Sequence, residues 1–442
     1  MSVHSPSERT ERGLCELYHE DPERADALVF GRVTDASRRG FLRGAGLGAM
    51  TAALGVAAIP HARNMPGGLI PAAFAQSAEP FEIEGKDAAL IVHNDRPLNM
   101  ETPAHLLDDD VTPAELHFVR NNGTLPEPID PAEWRLTVDG EVNEPLELSL
   151  EQLRSEFEPV TLALQLECGG NGRAGFNPPP SGNPWTVGAI GNSEWTGVRM
   201  ADILTRAGLK PEAVYTGHFG SDEHLSGDPD RQAISRGGPI AKMMDPSTIV
   251  AFAMNGADIP VAHGYPVRIV APGWPGSVSQ KWLTRVWVRD RQHDGAGMTG
   301  LSYRMPRNPV APGTEVPNED MEVMGSMIVK SVISFPEAGT EVTAGAPFEL
   351  RGHAWAGDDV VTAVEVSTDF GATWQPAELS PPPNRHSWQR WRAQVTLPGT
   401  GYYEVWARAT DNLGRTQPMV VPGWNPRGYL NNSCHRIHLT AA

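Results

Sequence analysis

The chain changes texture at Met327, and that change limits its folds more than any other feature. Beyond it the sequence reads as strands and turns only. Val360, Thr362, Val364 and Val366 alternate with outward neighbours, as do Tyr403, Val405, Ala407 and Ala409. That period of two marks strands with one buried face. Asp369-Phe370-Gly371 and Asn412-Leu413-Gly414 read as turns, spaced as in a small β-sandwich of about 110 residues. A chain of 442 residues is too long for one ordinary domain, so a second one precedes the sandwich.

The preceding part mixes helix and strand. Trp134 to Val138 reads as a strand, with Asp139-Gly140 as its turn. Leu148 to Phe157 reads as a short helix capped by Ser149. The clearest helix runs from Gly197 to Leu209, because Met200, Ile203, Leu204 and Ala207 share one face and Gly208 stops it. Thr161 to Leu166, Val250 to Met254, Val267 to Val270 and Val286 to Arg289 are apolar strands. With 45 Gly and 40 Pro the chain is rich in loops, which favours an α+β or β architecture over a helix bundle. The expected organisation is an extended lead-in over 76–104, an α+β domain over 105–325 and an immunoglobulin-like sandwich over 326–442.

Ahead of the lead-in, Ser37-Arg38-Arg39-Gly40-Phe41-Leu42-Arg43 opens an apolar, Gly/Ala-rich run to about Ile59. Ala73-Phe74-Ala75 then offers a cleavage site before Gln76. This resembles a twin-arginine export signal over 1–75, which implies a folded, periplasmic product. The run is too short and weakly apolar for a membrane span, so none is expected in the mature chain. Gly44-x-Gly46-x-Gly48 lacks the strand that a dinucleotide loop needs. The net charge is −18, and the first 75 residues carry eight Arg against eight Asp or Glu, so the remainder holds all of it. That argues against nucleic acid and anionic membranes and suits a basic partner protein.

The chemistry centres on Leu166 to Arg173, L-E-C-G-G-N-G-R. A thiolate is a nucleophile or a soft metal ligand, and glycines let backbone approach whatever the sulfur holds. An isolated cysteine is more often a small buried hydrophobe. Around it stand Arg120, Arg173, His263, Arg268, Lys281 and Arg427 in apolar or Gly-rich settings. Cations near a thiolate suit an anion site with either a soft metal or a reactive thiol. There is no C-x-x-C, and no Cys-His signature of a thiol enzyme.

Seven fragments in order resemble the sulfite oxidase family of molybdenum enzymes. They are Phe118–Asn121, the cysteine stretch, Gly188–Val198, Met254–Pro260, His263–Gly273, Lys281–Leu283, and Asn425–Gly428 with His435-Arg436. The resemblance implies a molybdopterin-binding catalytic domain followed by a dimerisation sandwich, a homodimer, and oxidation of sulfite to sulfate by oxygen-atom transfer. It implies that Cys168 binds molybdenum beside the pterin dithiolene. Tyr303 would face the metal, with Arg120, Arg173, Arg427 and Trp185 forming the substrate pocket. His263, Arg268 and Lys281 would hold the pterin and its phosphate, with Asn121, Asn122, Asp222 and Ser279 beside them. Asn122 departs from the family's vertebrate and plant members, which carry histidine there. Cys434 stands where an aromatic is common and reads as structural. No haem-attachment motif is present, so no haem is expected in this chain and electrons would pass to an external c-type cytochrome. The same cofactor acting on a sulfoxide or a carrier-bound sulfane, or a cofactor-free sandwich that only binds, are the rival readings.

Overall fold

The computed structural model describes residues 83–442. The twin-arginine stretch, its cleavage site and Cys15 lie outside them. Among the described residues no helix is long and apolar enough to cross a membrane.

Three sheets build the first part. β1 (Ile91–Asp95), β2 (Leu98–Glu101) and β3 (Val119–Arg120) form a small antiparallel sheet in the order 1-2-3. The segment expected as an extended lead-in therefore supplies two strands, of which β2 pairs with the one ending in Arg120. A second sheet runs β5-β4-β12-β8, from β4 (Arg135–Gly140), β5 (Leu146–Ser149), β8 (Tyr215–Gly220) and β12 (Leu283–Arg289). The third follows the path β10-β9-β7-β6, with β11 also paired to β9. Its strands are β6 (Pro159–Glu167), β7 (Ile190–Arg199), β9 (Ile249–Met254), β10 (Ala257–Asp258) and β11 (Arg268–Val270).

Two helices close the core between the second and third sheets. α1 (Leu150–Ser155) begins at a capping box, in which the Ser149 hydroxyl accepts from the Gln152 amide and the Gln152 side chain accepts from the Ser149 amide. α2 (Met200–Ala207) buries Met200, Ile203, Leu204 and Ala207 against Leu136, Val138, Val250 and Val286. It starts three residues later than its periodicity predicts. Gly197 to Arg199 stay in β7 because they pair with β9, and a Cβ at Gly197 would lie 2.2 Å from the Val250 carbonyl. Asp139-Gly140 is likewise strand rather than turn, since the parallel ladder with Trp287 and Val288 runs through it.

The carboxyl-terminal part is a sandwich of two sheets. One runs β15-β17-β21-β20, from β15 (Lys330–Phe335), β17 (Pro347–Trp355), β20 (Glu378–Leu379) and β21 (Gln389–Thr396). The other runs β16-β23-β22-β18-β19, from β16 (Glu341–Val342), β18 (Val361–Ser367), β19 (Gln375–Pro376), β22 (Gly401–Asp411) and β23 (His435–Ala441). Val405, Ala407 and Ala409 face the shared core as their alternation predicts. In β18 the start of the inward set is wrong. A register shift between Val361 and Ala363 turns Val361 inward and leaves Val360 and Thr362 exposed, with Val364 and Val366 regaining the core. A remaining short pair, β13 (Arg304–Pro306) with β14 (Met321–Val323), lies between the two parts.

A buried ion pair joins them. Lys330 on β15 donates to Glu167 at the end of β6 over 2.7 Å and to the Asn171 carbonyl over 3.0 Å. Trp355 Nε1 donates to the other Glu167 oxygen at 2.9 Å, and Asn171 Nδ2 donates to the first at 3.0 Å. Glu167 is fully buried and Lys330 nearly so. Removing one member of such a pair strands a buried charge. Lys330→Met should therefore destabilise the protein by about 3–5 kcal/mol in chemical denaturation, well beyond an exposed Lys→Met control.

Candidate active site

Cys168 follows Glu167 at the end of β6 and is buried. Its amide donates to the Ala189 carbonyl at 2.9 Å, and its own carbonyl accepts from the Asn171 amide at 2.9 Å, which turns the chain sharply. The glycines serve two different needs. Gly172 has φ of +94°, a left-handed conformation, and a Cβ at Gly170 would lie 2.1 Å from the Arg173 guanidinium. The far end of the chain returns over this turn. Leu430 donates its amide to the Gly169 carbonyl at 3.0 Å, and Asn431 Nδ2 donates to the Gly172 carbonyl at 2.7 Å.

One cavity gathers most of the sequence candidates. Cys168, Arg120 and Tyr303 line it together with Asn121, Asn122 and Asp222. His263, Arg268, Ser279 and Lys281 form the rest of the expected wall. Arg173, Arg427 and Trp185 do not line it. Arg173 is buried behind Tyr303. It donates to the Arg427 carbonyl and the Asn183 carbonyl, each at 2.7 Å, and its guanidinium lies 5.4 Å over the Tyr429 ring. Arg427 reaches away to the Ser181 hydroxyl at 2.8 Å. Trp185 is fully buried, edge-on to His93 at 4.7 Å, with its Nε1 unpartnered.

The cavity is cationic within an acidic chain. Arg120 donates to the Asn122 side chain at 2.6 Å and to the Asn121 carbonyl. Burial works against its charge, but Tyr303, Cys168 and Tyr429 outweigh that and hold it above the usual arginine range. Lys281 donates to the Asn121 side chain and to the Ala262 carbonyl. Burial, with Arg268 nearby, pushes it well below the ordinary lysine value. Arg268 is pushed down to about 9 by burial alone. Its nitrogens are spent on the carbonyls of His263, Ile269 and Ser279, so it staples two loops together. The Ser279 hydroxyl accepts from the Ala271 amide at 2.9 Å, which leaves its own O–H as a donor. Burial raises Asp222 to about 6, against the pull of Lys281. Tyr303 and Trp282 hold left-handed backbone, φ of +51° and +48°, which costs roughly 1–3 kcal/mol each and clusters at functional sites.

Four cavity residues, three of them missed by sequence reasoning, are among the most informative. His117 Nε2, Asn121 Nδ2, Ser277 Oγ and Gln280 Oε1 are buried, unpartnered and all on this wall, and only Asn121 was expected there. A folded protein seldom leaves such groups orphaned unless a ligand meets them. Donors and acceptors set among cations suit a polar heterocycle carrying an anionic tail. Among the described residues no group of three or more His, Cys, Asp or Glu could hold a metal. A metal at Cys168 thus fits if its other ligands come with that heterocycle.

The chain matches the oxidoreductase molybdopterin binding domain over residues 122–296 and the Mo-co oxidoreductase dimerisation domain over 321–442. It is 34% identical to the sulfite oxidase of Gallus gallus over 365 residues, spanning 78% of this chain and 77% of the relative. The chain belongs to the sulfite oxidase family of molybdopterin oxidoreductases. The mitochondrial sulfite oxidase of Homo sapiens is 33% identical, over 79% of this chain and 66% of the relative. Among solved structures, the sulfane dehydrogenase SoxCD from Paracoccus pantotrophus matches with a TM-score of 0.65 and 26% identity, covering 84% of this chain and 96% of that one. A molybdopterin-binding domain of this family is consistent with a wall that offers polar groups among cations.

Burial lowers His117 to about 3, with Lys86 adding to it, and lowers His263 well below its ordinary value. Between those values and the unfolded value near 6.5 the native state binds fewer protons, so stability is lost as pH falls. Asp222 opposes this, gaining stability as pH falls between its raised value and 3.8. Each histidine contributes at most about 1.4 kcal/mol per pH unit. In urea denaturation of cofactor-free protein at pH 7 and pH 5, His117→Gln should lose less stability on acidification than the parent.

Proposed function

We propose that this chain oxidises sulfite to sulfate at a molybdenum centre and passes the electrons to an external c-type cytochrome. The observation that carries this reading is the meeting of Cys168, Arg120 and Tyr303 on one cationic cavity wall. When bound, the molybdenum cofactor supplies the oxygen atom and takes up two electrons. Cys168 is the thiolate that ties the metal to the protein, soft and electron-donating. Arg120 binds the substrate oxyanion and offsets its charge with a planar set of donors, an electrostatic role rather than acid–base catalysis. The Tyr303 hydroxyl hydrogen-bonds the same oxygens.

Around them His263, Lys281, Asn121, Asn122 and Asp222 hold the pterin and its phosphate, and Arg268 and Ser279 fix the loops that carry them. Arg173 is a positioning residue that supports Tyr303 through the Tyr429 ring, stacked on it at 5.6 Å. Arg427 orients Arg173 through its carbonyl, and Trp185 packs behind Cys168. The sandwich makes a homodimer, and the net charge of −18 suits a basic cytochrome met after export to the periplasm.

A second reading is favoured by one observation. The sulfane dehydrogenase match spans nearly the whole of that chain, so a carrier-bound sulfane is the alternative substrate. Purified protein of known molybdenum content should reduce cytochrome c and ferricyanide when given sulfite, and Cys168→Ser should not. Arg120→Met should lower kcat/KM for sulfite by roughly 10²–10³-fold, as loss of a charge-stabilising donor does. Molybdenum-replete protein that ignores sulfite but oxidises a sulfane would overturn the first reading in favour of the second.

A further inference from the structure

Lys86 lies ahead of the matched molybdopterin domain, in the segment leading to β1, yet its ammonium reaches the back of the cavity wall. Nζ has three contacts, each at 2.6 Å: the Ala114 carbonyl, the His117 carbonyl and His263 Nε2. Burial lowers Lys86 to about 7, so below that pH it is an ammonium, with three N–H bonds and no lone pair, and it donates in all three. His263 Nε2 is therefore the acceptor. The ring is the neutral tautomer with its proton on Nδ1, and what it can offer the cavity is a donor. Among the described residues no protein group takes up that Nδ1.

His117 carries its proton on the same nitrogen. Its Nδ1 faces the Phe118 carbonyl at 3.2 Å and must carry the proton, which leaves the orphaned Nε2 as an acceptor. The two rings meet edge to face at 5.1 Å. Both rings belong to residues that line the cavity, each as a neutral imidazole with its proton on Nδ1.

The Lys86 segment is packed onto the same wall. Asp87 donates its amide to the Glu115 carbonyl at 3.1 Å. Ile83 and Leu90 join the small core that includes Ala262, the residue before His263.

We propose that Lys86 is a cofactor-positioning residue, which locks His263 in its Nδ1–H tautomer and couples docking of the amino-terminal segment to retention of the pterin. The proposal rests on the cofactor assignment and not on the choice of substrate. For metal-ligating histidines the partner that fixes the tautomer contributes about 10–100-fold to affinity, and the same scale is expected of a pterin-binding histidine held in this way. Linkage makes the coupling reciprocal, so a bound pterin must stabilise the docked segment by the same factor that the segment contributes to binding.

The test is nitrogen-15 histidine NMR on cofactor-free protein, with His263→Gln assigning the resonance, alongside the pterin release rate of loaded protein. Below pH 7, where Lys86 is charged, the parent should show His263 as Nδ1–H. Lys86→Met should shift it to a tautomer mixture or to Nε2–H, and release pterin roughly 10–100-fold faster. Amide exchange at Asp87 to Leu90 should slow when cofactor binds in the parent and respond less in the variant. A folded Lys86→Met protein with the parent's tautomer and release rate overturns the proposal, and so does exchange that is indifferent to loading. If Lys86→Met does not fold, Lys86→Arg keeps the charge but displaces the donors, and the same two readouts decide.

Discussion

The buried pair of Lys330 and Glu167 is the contact on which the site depends. Glu167 immediately precedes Cys168, and its two oxygens are claimed from both sides: by Lys330 and Trp355 of the sandwich and by Asn171 of the cysteine turn. A buried carboxylate is tolerable only when its lone pairs are satisfied, and here the sandwich supplies most of the satisfaction. The turn that presents the thiol is thus held from outside its own domain. Asn431 and Leu430, just before β23, clasp the same turn by its backbone. The dimerisation domain is therefore part of the scaffold of Cys168, and a catalytic domain cut free of it would lose the groups that hold that turn in place.

The second constraint is charge. A chain with a net charge of −18 keeps Arg120, Arg268, Lys281 and Lys86 within or behind one cavity wall, where burial lowers the pKa of the last three. Burying like charges together is costly without an anion to meet them. Left-handed backbone at Tyr303 and Trp282 adds local strain to the same wall. Strain, orphaned polar atoms and buried cations coincide there, and each is reduced in cost if the hole is filled by a rigid polyanion. The composition of the wall thus favours a bound anionic group.

How much of this was legible in the sequence varies with the physics behind each feature. Cys168 stood out because three glycines in four residues are costly anywhere that backbone does not need to approach closely. The α2 face was readable from its period, but its start was not, since the pairing of Gly197 with β9 is a tertiary fact. The bulge in β18 was hidden for the same reason: alternation reports a strand, not an insertion within it. Arg120, His263 and Lys281 were reached through family fragments rather than local pattern. His117, Ser277, Gln280 and Lys86 carry no local signal at all. They are ordinary polar residues that the topology brings together, and only their unpaired or saturated hydrogen bonds reveal them. Arg173, Arg427 and Trp185 show the converse, since a motif can place a residue near a site without placing its side chain on the wall.

The central claim is that Cys168 joins a molybdenum cofactor to this wall. X-ray absorption at the molybdenum edge tests it most directly, by counting sulfur neighbours in the purified parent protein and in Cys168→Ser. One sulfur fewer is expected around the metal in the variant, with the cofactor still bound by the remaining wall. An unchanged sulfur count, in a variant that still holds molybdenum, would contradict it.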